Sequence, residues 1–346
     1  MNLIEITEIL NSDSNYDQLL SEIKKGKSGT RVQVIDEAVP FLTASIWKKL
    51  QVPILLVCPT PEHSRRLYEH LSAWLENEIQ PLRFSESEIL PFERLTEDLS
   101  TKQQRQHTLN HLFRNKSQPS LIVTSASALS QKTISAQSFK ENCSTYSQGD
   151  KLNLEELSRY WQQMGYSFES NVSDPGTASR RGGIIDVFPI GEKVPYRVEL
   201  WGDEIDSIRT FDPDTQRSID IVEQFSISPA KETLTTSITE DEFDRLLSHV
   251  DLSQCNPEEI TRFSSEIDQL SKGHQIEELG LYAGFFNHGT LLDYFPSNGL
   301  LISYRNIDAM NSVWDVEERS NQLRTVKENR GELPINFPTD RIPWDE

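Results

Sequence analysis

The sequence predicts an α/β protein: an open, mostly parallel sheet with helices on its faces, carrying a small inserted α+β unit. Three observations predict it. The runs "VPILLVCPT" (residues 52–60) and "SLIVTSASAL" (residues 120–129) are apolar over the length of a strand, as buried parallel strands are. Helical segments with one apolar face lie between such runs, which is the order that crossover connections need. From about residue 127 short strand-like stretches follow at spacings too close for crossover helices, which points to hairpins.

Each element has its own signal. "YDQLLSEIKKG" (16–26) is a short amphipathic helix stopped by Gly26, and "RVQVID" (31–36) alternates like a strand and is expected to open the sheet. "PFLTASIWKKL" (40–50) reads as a helix. "PEHSRRLYEHLSAWLEN" (61–77) sets Leu67, Leu71, Trp74 and Leu75 on one helical face, and "TKQQRQHTLNHLF" (101–113) is a further helix. In the small unit, Asn153 and Glu156 form a capping-box-like start for "LEELSRYWQQM" (154–164), and Gly165 closes that helix. "YSFESNV" (166–172) turns at Asp174-Pro175-Gly176, and "GGIIDVFPI" (182–190) follows. "YRVELW" (196–201) passes through a tight Gly202-Asp203 hairpin into "EIDSIRTF" (204–211).

Beyond residue 213, "IDIVEQFSISP" (219–229) reads as a strand leading out of the small unit. "DEFDRLLSHV", "PEEITRFSSEIDQLSKG" and "VWDVEERSNQLRTVKENRG" are acidic helices, and "GLLISY" (299–304) is expected to be a buried strand. "LPINFPTDRIPWDE" (333–346) has the look of a linker or an edge. The expected plan is a first part of an α/β domain over residues 1–126, an inserted unit over 127–213, a return to the first domain over 214–335, and 336–346 as the linker or edge.

Charge narrows the function. The 346 residues include 34 basic and 54 acidic side chains, a formal net charge of -20. Nucleic acid and anionic membranes are both held by lysine and arginine, so this balance argues against either as a partner. Neither a signal peptide nor a long apolar span is visible, and Cys58, Cys143 and Cys255 lie too far apart for a disulfide framework or a zinc site. A cytoplasmic chain with reduced, structural thiols is expected.

Three motifs invite chemistry and lack its parts. "VIDEAV" (34–39) imitates a helicase acidic box, which needs a phosphate-binding loop earlier in the chain. The nearest candidate, "SEIKKGKS" (Ser21–Ser28), has Ser21 in place of the first glycine and follows a helix instead of a strand. The loop Asp36-Glu37-Ala38-Val39-Pro40 has no glycine or lysine and points two carboxylates where phosphates would sit. His107 and His111 have the helical spacing of a metal pair without a third ligand, and the pairs Asp203-Glu204 and Glu240-Asp241-Glu242 read as solvated turns. Catalytic, cofactor and metal residues are therefore expected to be none. An arginine cluster differs: Arg180 and Arg181 precede one strand, Arg197 and Glu199 share one face of another, and Arg159 lies on the unit's helix. Residues 127–213 hold 9 basic and 13 acidic side chains, a mixed surface that suits a protein partner.

"RRGGIIDVFPIGEKVPYRVELWGDEIDSIRTFDPDTQRS" (180–218) resembles the UvrB-interaction module shared by the excision-repair protein UvrB and the transcription-repair coupling factors (Mfd). "RFSESEILPFERLTEDLSTKQQR", "SLIVTSASALSQKT" and "GTLLDYFPSNGLLI" are similar to the coupling factors' amino-terminal region, so the resemblance covers nearly the whole chain. It implies a UvrB-like, degenerate P-loop-NTPase-like sheet domain with an inserted UvrA-binding domain. It implies a non-catalytic role recruiting UvrA in nucleotide excision repair. Arg181, Arg197 and Glu199 match the UvrA-binding positions by motif, and Arg159 and Arg180 more loosely. Ser179 stands where UvrB often has arginine. RNA polymerase and DNA would be engaged only by coupling-factor regions absent from this chain. The rival reading is an ATP-dependent helicase or translocase fragment, or a UvrB-like damage-recognition protein.

Overall fold

A computed structural model describes residues 3–344 apart from Glu88, Glu97, Ser117 and Gln275, and apart from the side chain of Ser237. The strands are β1 (Ile54–Cys58), β2 (Leu82–Phe84), β3 (Leu121–Ser125), β4 (Ser144–Ser147), β5 (Ser167–Phe168), β6 (Thr177–Arg181), β7 (Ile184–Val187), β8 (Tyr196–Trp201), β9 (Glu204–Phe211), β10 (Ser218–Val222), β11 (Gln224–Ile227) and β12 (Leu300–Ser303). The chain divides into two compact units. The first comprises the stretch ending at Glu86, Asn115–Leu129 and Phe295–Trp314; the second comprises Ser87–Arg114, Ser130–Tyr294 and the stretch from Asp315 on. No helix among the described residues is long and apolar enough to cross a membrane.

The first unit is a parallel sheet in the order β12-β1-β3-β2. Every residue of β1 and β3 is buried, as continuous apolar runs require when both faces are covered. The helix Val39–Leu50 packs Ala44, Ile46 and Trp47 into the core, and the helix Pro61–Trp74 packs Leu67 and Leu71, with Leu75 just beyond its end. Thr60 caps the second of these helices by accepting from the His63 backbone N–H.

Three expectations fail in this unit. Residues 31–35 form no strand and are exposed throughout, with Ile35 left in solvent. Alternation names a face that could be buried but supplies no neighbouring strand, and the sheet's edge at β1 is taken by β12. That strand is itself half-exposed along its length, not buried, because it lies at the edge of the sheet. The run at 120–129 also splits, since the strand stops at Ser125 and Ala126–Ser130 is helical.

The second unit contains a six-stranded sheet in the order β10-β9-β8-β7-β6-β5, antiparallel except for the parallel β5–β6 pair. The turn at Asp174–Gly176 therefore leads into a parallel edge pair, not a hairpin. The stretch 218–227 stays with this unit: β10 closes the sheet beside β9, and β11 pairs with β4. One face of the sheet carries Ala178, Ile185, Val187, Val198 and Ile208, and the helix Leu154–Gln163 covers it with Leu157 and Trp161. Asn153 caps that helix through the backbone N–H groups of Glu155 and Glu156.

A separate aromatic core in the same unit gathers Phe92, Phe263, Tyr282, Phe285 and Phe337. Leu333 and Phe337 are buried there, so the start of the proline-rich tail is core, not a loose linker.

A charged face on the six-stranded sheet

Period-two alternation puts the residues between the core positions onto the sheet's other face. On β7 the odd residue is Asp186, an acid inside the apolar run Ile184–Val187 and only 1% exposed. A carboxylate this deep must be paired. The register supplies the partner, since Asp186 lies directly opposite Arg197 on β8. Arg197 Nε donates to Oδ1 at 2.8 Å and Nη2 donates to Oδ2 at 2.9 Å, a two-point fork. Arg181, one step along β6 from the other neighbour of Asp186, donates from Nη2 to the same Oδ2 at 2.8 Å.

The two arginines are held differently. Arg197 is 18% exposed, and its guanidinium lies 4.6 Å above the Phe211 ring. Its hydrogen bonds to Asp186 push its pKa above the ordinary guanidinium value. Arg181 is 52% exposed and gives Asp186 a single nitrogen. Its remaining donors face outward from an anchored position.

Glu199, two residues after Arg197, accepts from Ser207 Oγ at 3.2 Å and from Arg209 Nη2 at 3.4 Å. Arg197 and Arg209 face each other across β8 and β9, and each turns to a different carboxylate, so the like charges do not confront each other unscreened. Trp201 continues the same side of β8 and is 84% exposed, while Ile221, paired with Arg209, is 77% exposed. The face thus combines an outward arginine, a half-buried carboxylate and two exposed apolar side chains. Exposed tryptophan beside arginine is the composition of a protein-binding surface.

Of the residues singled out from sequence, Arg181, Arg197 and Glu199 meet on this face. Arg180 alternates to the other side and is exposed, and Arg159 is exposed on the helix that covers the opposite face. Sequence reasoning missed Asp186, Arg209, Trp201 and Ile221. Asp186 had a readable signal, since a lone acid within "IIDVF" has to be neutralised by a neighbour.

The other motifs are placed as follows. Asp36 pairs with Arg305 at the start of the helix Val39–Leu50, and Lys27 pairs with Glu22 at 3.2 Å. His107 is exposed and His111 half-buried on the helix Leu99–Arg114. Among the described residues no cluster of three or more His, Cys, Asp or Glu is arranged to hold a metal ion.

Residues 145–232, which hold β5 to β11 and the helix Leu154–Gln163, match the family model of the UvrB interaction domain. The chain as a whole is similar to transcription-repair-coupling factors. It is 27% identical to that of Bacillus subtilis (strain 168) over 317 residues, covering 88% of this chain and 26% of the relative. For the Myxococcus xanthus protein the identity is 29%, with 81% of this chain and 24% of the relative covered. For the Escherichia coli (strain K12) protein it is 25%, with 83% and 24% covered. The chain thus spans about a quarter of the length of these curated relatives.

Proposed function

We propose that this chain is a non-catalytic interaction module that recruits UvrA, acting in transcription-coupled nucleotide excision repair. The observation that carries the reading is the Asp186-centred arginine array beside exposed Trp201, inside the segment matching the UvrB interaction domain. Arg181 forks onto a carboxylate of UvrA, Glu199 accepts from a UvrA donor, and Arg197 holds the array together. Arg159 and Arg180 act outside this face, as a secondary contact. The docking unit is the inserted domain read as residues 127–213, between segments 1–126 and 214–335 and ahead of 336–346.

The first unit is a P-loop-like sheet whose phosphate site has decayed. Two features support this: the loop ahead of the helix Val39–Leu50 carries Asp36, tied to Arg305, in place of glycine and lysine, and Pro40 removes a backbone N–H donor from the first turn of that helix. The chain takes no cofactor. RNA polymerase and DNA are engaged, on this reading, through parts of the coupling factor other than this chain.

Isothermal titration calorimetry with purified UvrA tests the proposal. The wild-type chain binds, and Arg181→Ala loses about 2 kcal/mol or more of affinity. No binding by the wild type overturns the reading. A parallel titration with ATP distinguishes the translocase alternative, for which micromolar nucleotide affinity is the expected result.

A further inference from the structure

The second unit holds a partly open cavity of about 170 Å³, to which no residue of the charged sheet face contributes. Its walls come from Ser87 and residues between Ile89 and Thr96, the helix Leu99–Arg114, the 231–233 stretch, the 279–287 helical turns and the tail near Pro338. Leu90, Phe92, Leu281 and Ala283 give it an apolar lining.

The polar lining is unusual in what it leaves unpaired. Gln106 is 1% exposed, and neither its Nε2 nor its Oε1 has a hydrogen-bond partner among the described residues. Asn287 is also buried; its Nδ2 donates to Thr233 Oγ1 at 3.3 Å while its Oδ1 is unpartnered. Asp340 accepts from Gln131 Nε2 at 3.3 Å on Oδ2 and has nothing on Oδ1. Lys231 lines the same space with no ion pair among the described residues, and burial pulls its amine down to about 8. Of the other charges that line it, Arg105 grips Glu232 at 2.5 and 2.7 Å, Lys132 donates to the Thr339 carbonyl at 3.1 Å and Glu93 accepts from the Leu90 backbone N–H at 2.9 Å, while Lys102 is half-buried and Glu277 lies exposed at the rim.

Buried polar groups are nearly always satisfied, and each one left open costs stability. Three side chains with open buried atoms, Gln106, Asn287 and Asp340, together with the half-buried Lys231 describe a ligand by complement. Lys231 calls for an anionic end. Asp340 Oδ1 and Asn287 Oδ1 call for a donor, preferably cationic. Gln106 calls for a donor and an acceptor side by side, and the apolar wall calls for a hydrocarbon body. A 150 Å³ cavity holds a benzene-sized molecule, so this one takes on the order of six to ten non-hydrogen atoms. A nucleotide is too large for it. A hard metal ion would need several free carboxylate oxygens and would meet ammonium groups instead.

We infer that this cavity is a binding site for a small zwitterion of amino-acid size, its carboxylate held by Lys231, its ammonium by Asp340 and Asn287, and its polar waist by Gln106. The site is independent of the UvrA-docking face.

Calorimetric titration of the full chain with the free L-amino acids in turn tests this. One or more bind with one-to-one stoichiometry. The tightest binder is then compared with its own deaminated and decarboxylated counterparts, each of which binds at least ~10-fold more weakly, as expected when a buried charge loses its partner. Lys231→Met and Gln106→Leu each weaken binding by ~10-fold or more while circular dichroism stays unchanged. Absence of saturable binding at millimolar amino acid overturns the inference, since the cavity then serves solvent alone. So does equal binding of a one-charge counterpart, a comparison made on the wild-type chain that stands even where a variant fails to fold. Folded variants that bind like the wild type overturn it as well.

Discussion

At the scale of single residues the charged face turns on Asp186. It is buried, it accepts three charge-assisted hydrogen bonds, and its two arginines do different work. Removing Arg197 leaves a carboxylate in the protein with its main partner gone, which costs on the order of 3–5 kcal/mol. Removing Arg181, which is half in solvent, costs about 1 kcal/mol or less. Urea unfolding of Arg197→Ala and Arg181→Ala is expected to show this split. Titration with UvrA is expected to show the reverse ordering of purpose: Arg181→Ala is a stable chain that binds poorly, and Arg197→Ala loses binding because the array has collapsed. Lys231 gives a second prediction at this scale. Its amine titrates near 8 when folded and near the usual 10.5 when unfolded. Between those values the unfolded chain holds a proton that the folded chain lacks, so stability rises with pH through that window. Below about pH 8 both states are charged and the burial penalty is fully present. Lys231→Met is expected to be more stable than wild type near neutral pH and to lose the rise above pH 8, read by denaturant midpoints across the series.

At the scale of elements, legibility followed burial. The buried strands β1 and β3 and the helices with a clear apolar stripe announced themselves, because packing on both faces or on one stripe leaves a periodic trace. Residues 31–35 carried the same alternation without a partner strand, and β6 went unread because "TASRR" is half small and half charged. Strand pairing is a property of neighbours, not of the segment. The charged face shows the same limit. Arg197 and Glu199 were readable from their spacing on one strand, but the fork to Asp186 depends on cross-strand register, and Trp201 and Ile221 gain meaning only beside Arg209. The tail illustrates an element hidden by its composition: prolines suggested a linker, yet Phe337 sits among Phe92, Phe263 and Tyr282. Gly284 marks how closely that tail is applied, since a Cβ there would stand 2.7 Å from the Pro338 carbonyl oxygen and 2.8 Å from its carbon. Backbone cannot swing aside as a side chain can, so Gly284→Ala is expected to destabilise the chain by about 1–3 kcal/mol. Thermal unfolding measures the loss, and limited proteolysis after Phe337 would report the tail coming away.

At the scale of the whole molecule, charge separates the candidate functions more cleanly than fold does. A parallel α/β sheet supports nucleotide enzymes and scaffolds alike. A net charge of -20 does not treat all partners alike. Sequence-independent DNA binding comes from cations displacing counterions from phosphate, and proteins built for it reach dissociation constants of about 10⁻⁴–10⁻⁶ M at physiological salt. This chain repels the same polyanion over most of its surface, and on the sheet face Arg197 and Arg209 are paired with Asp186 and Glu199, so a single half-exposed arginine, Arg181, is far short of a phosphate-binding stripe. Fluorescence anisotropy with a labelled duplex is therefore expected to show no binding at tens of micromolar chain in physiological salt. Lowering the salt sharpens the test, because a concealed basic groove would gain affinity steeply while an acidic surface would gain none. The DNA result and the UvrA titration then test separate parts of one proposal: duplex binding at micromolar concentration would show a direct route from this chain to DNA, and DNA engagement could no longer be assigned to other parts of a coupling factor.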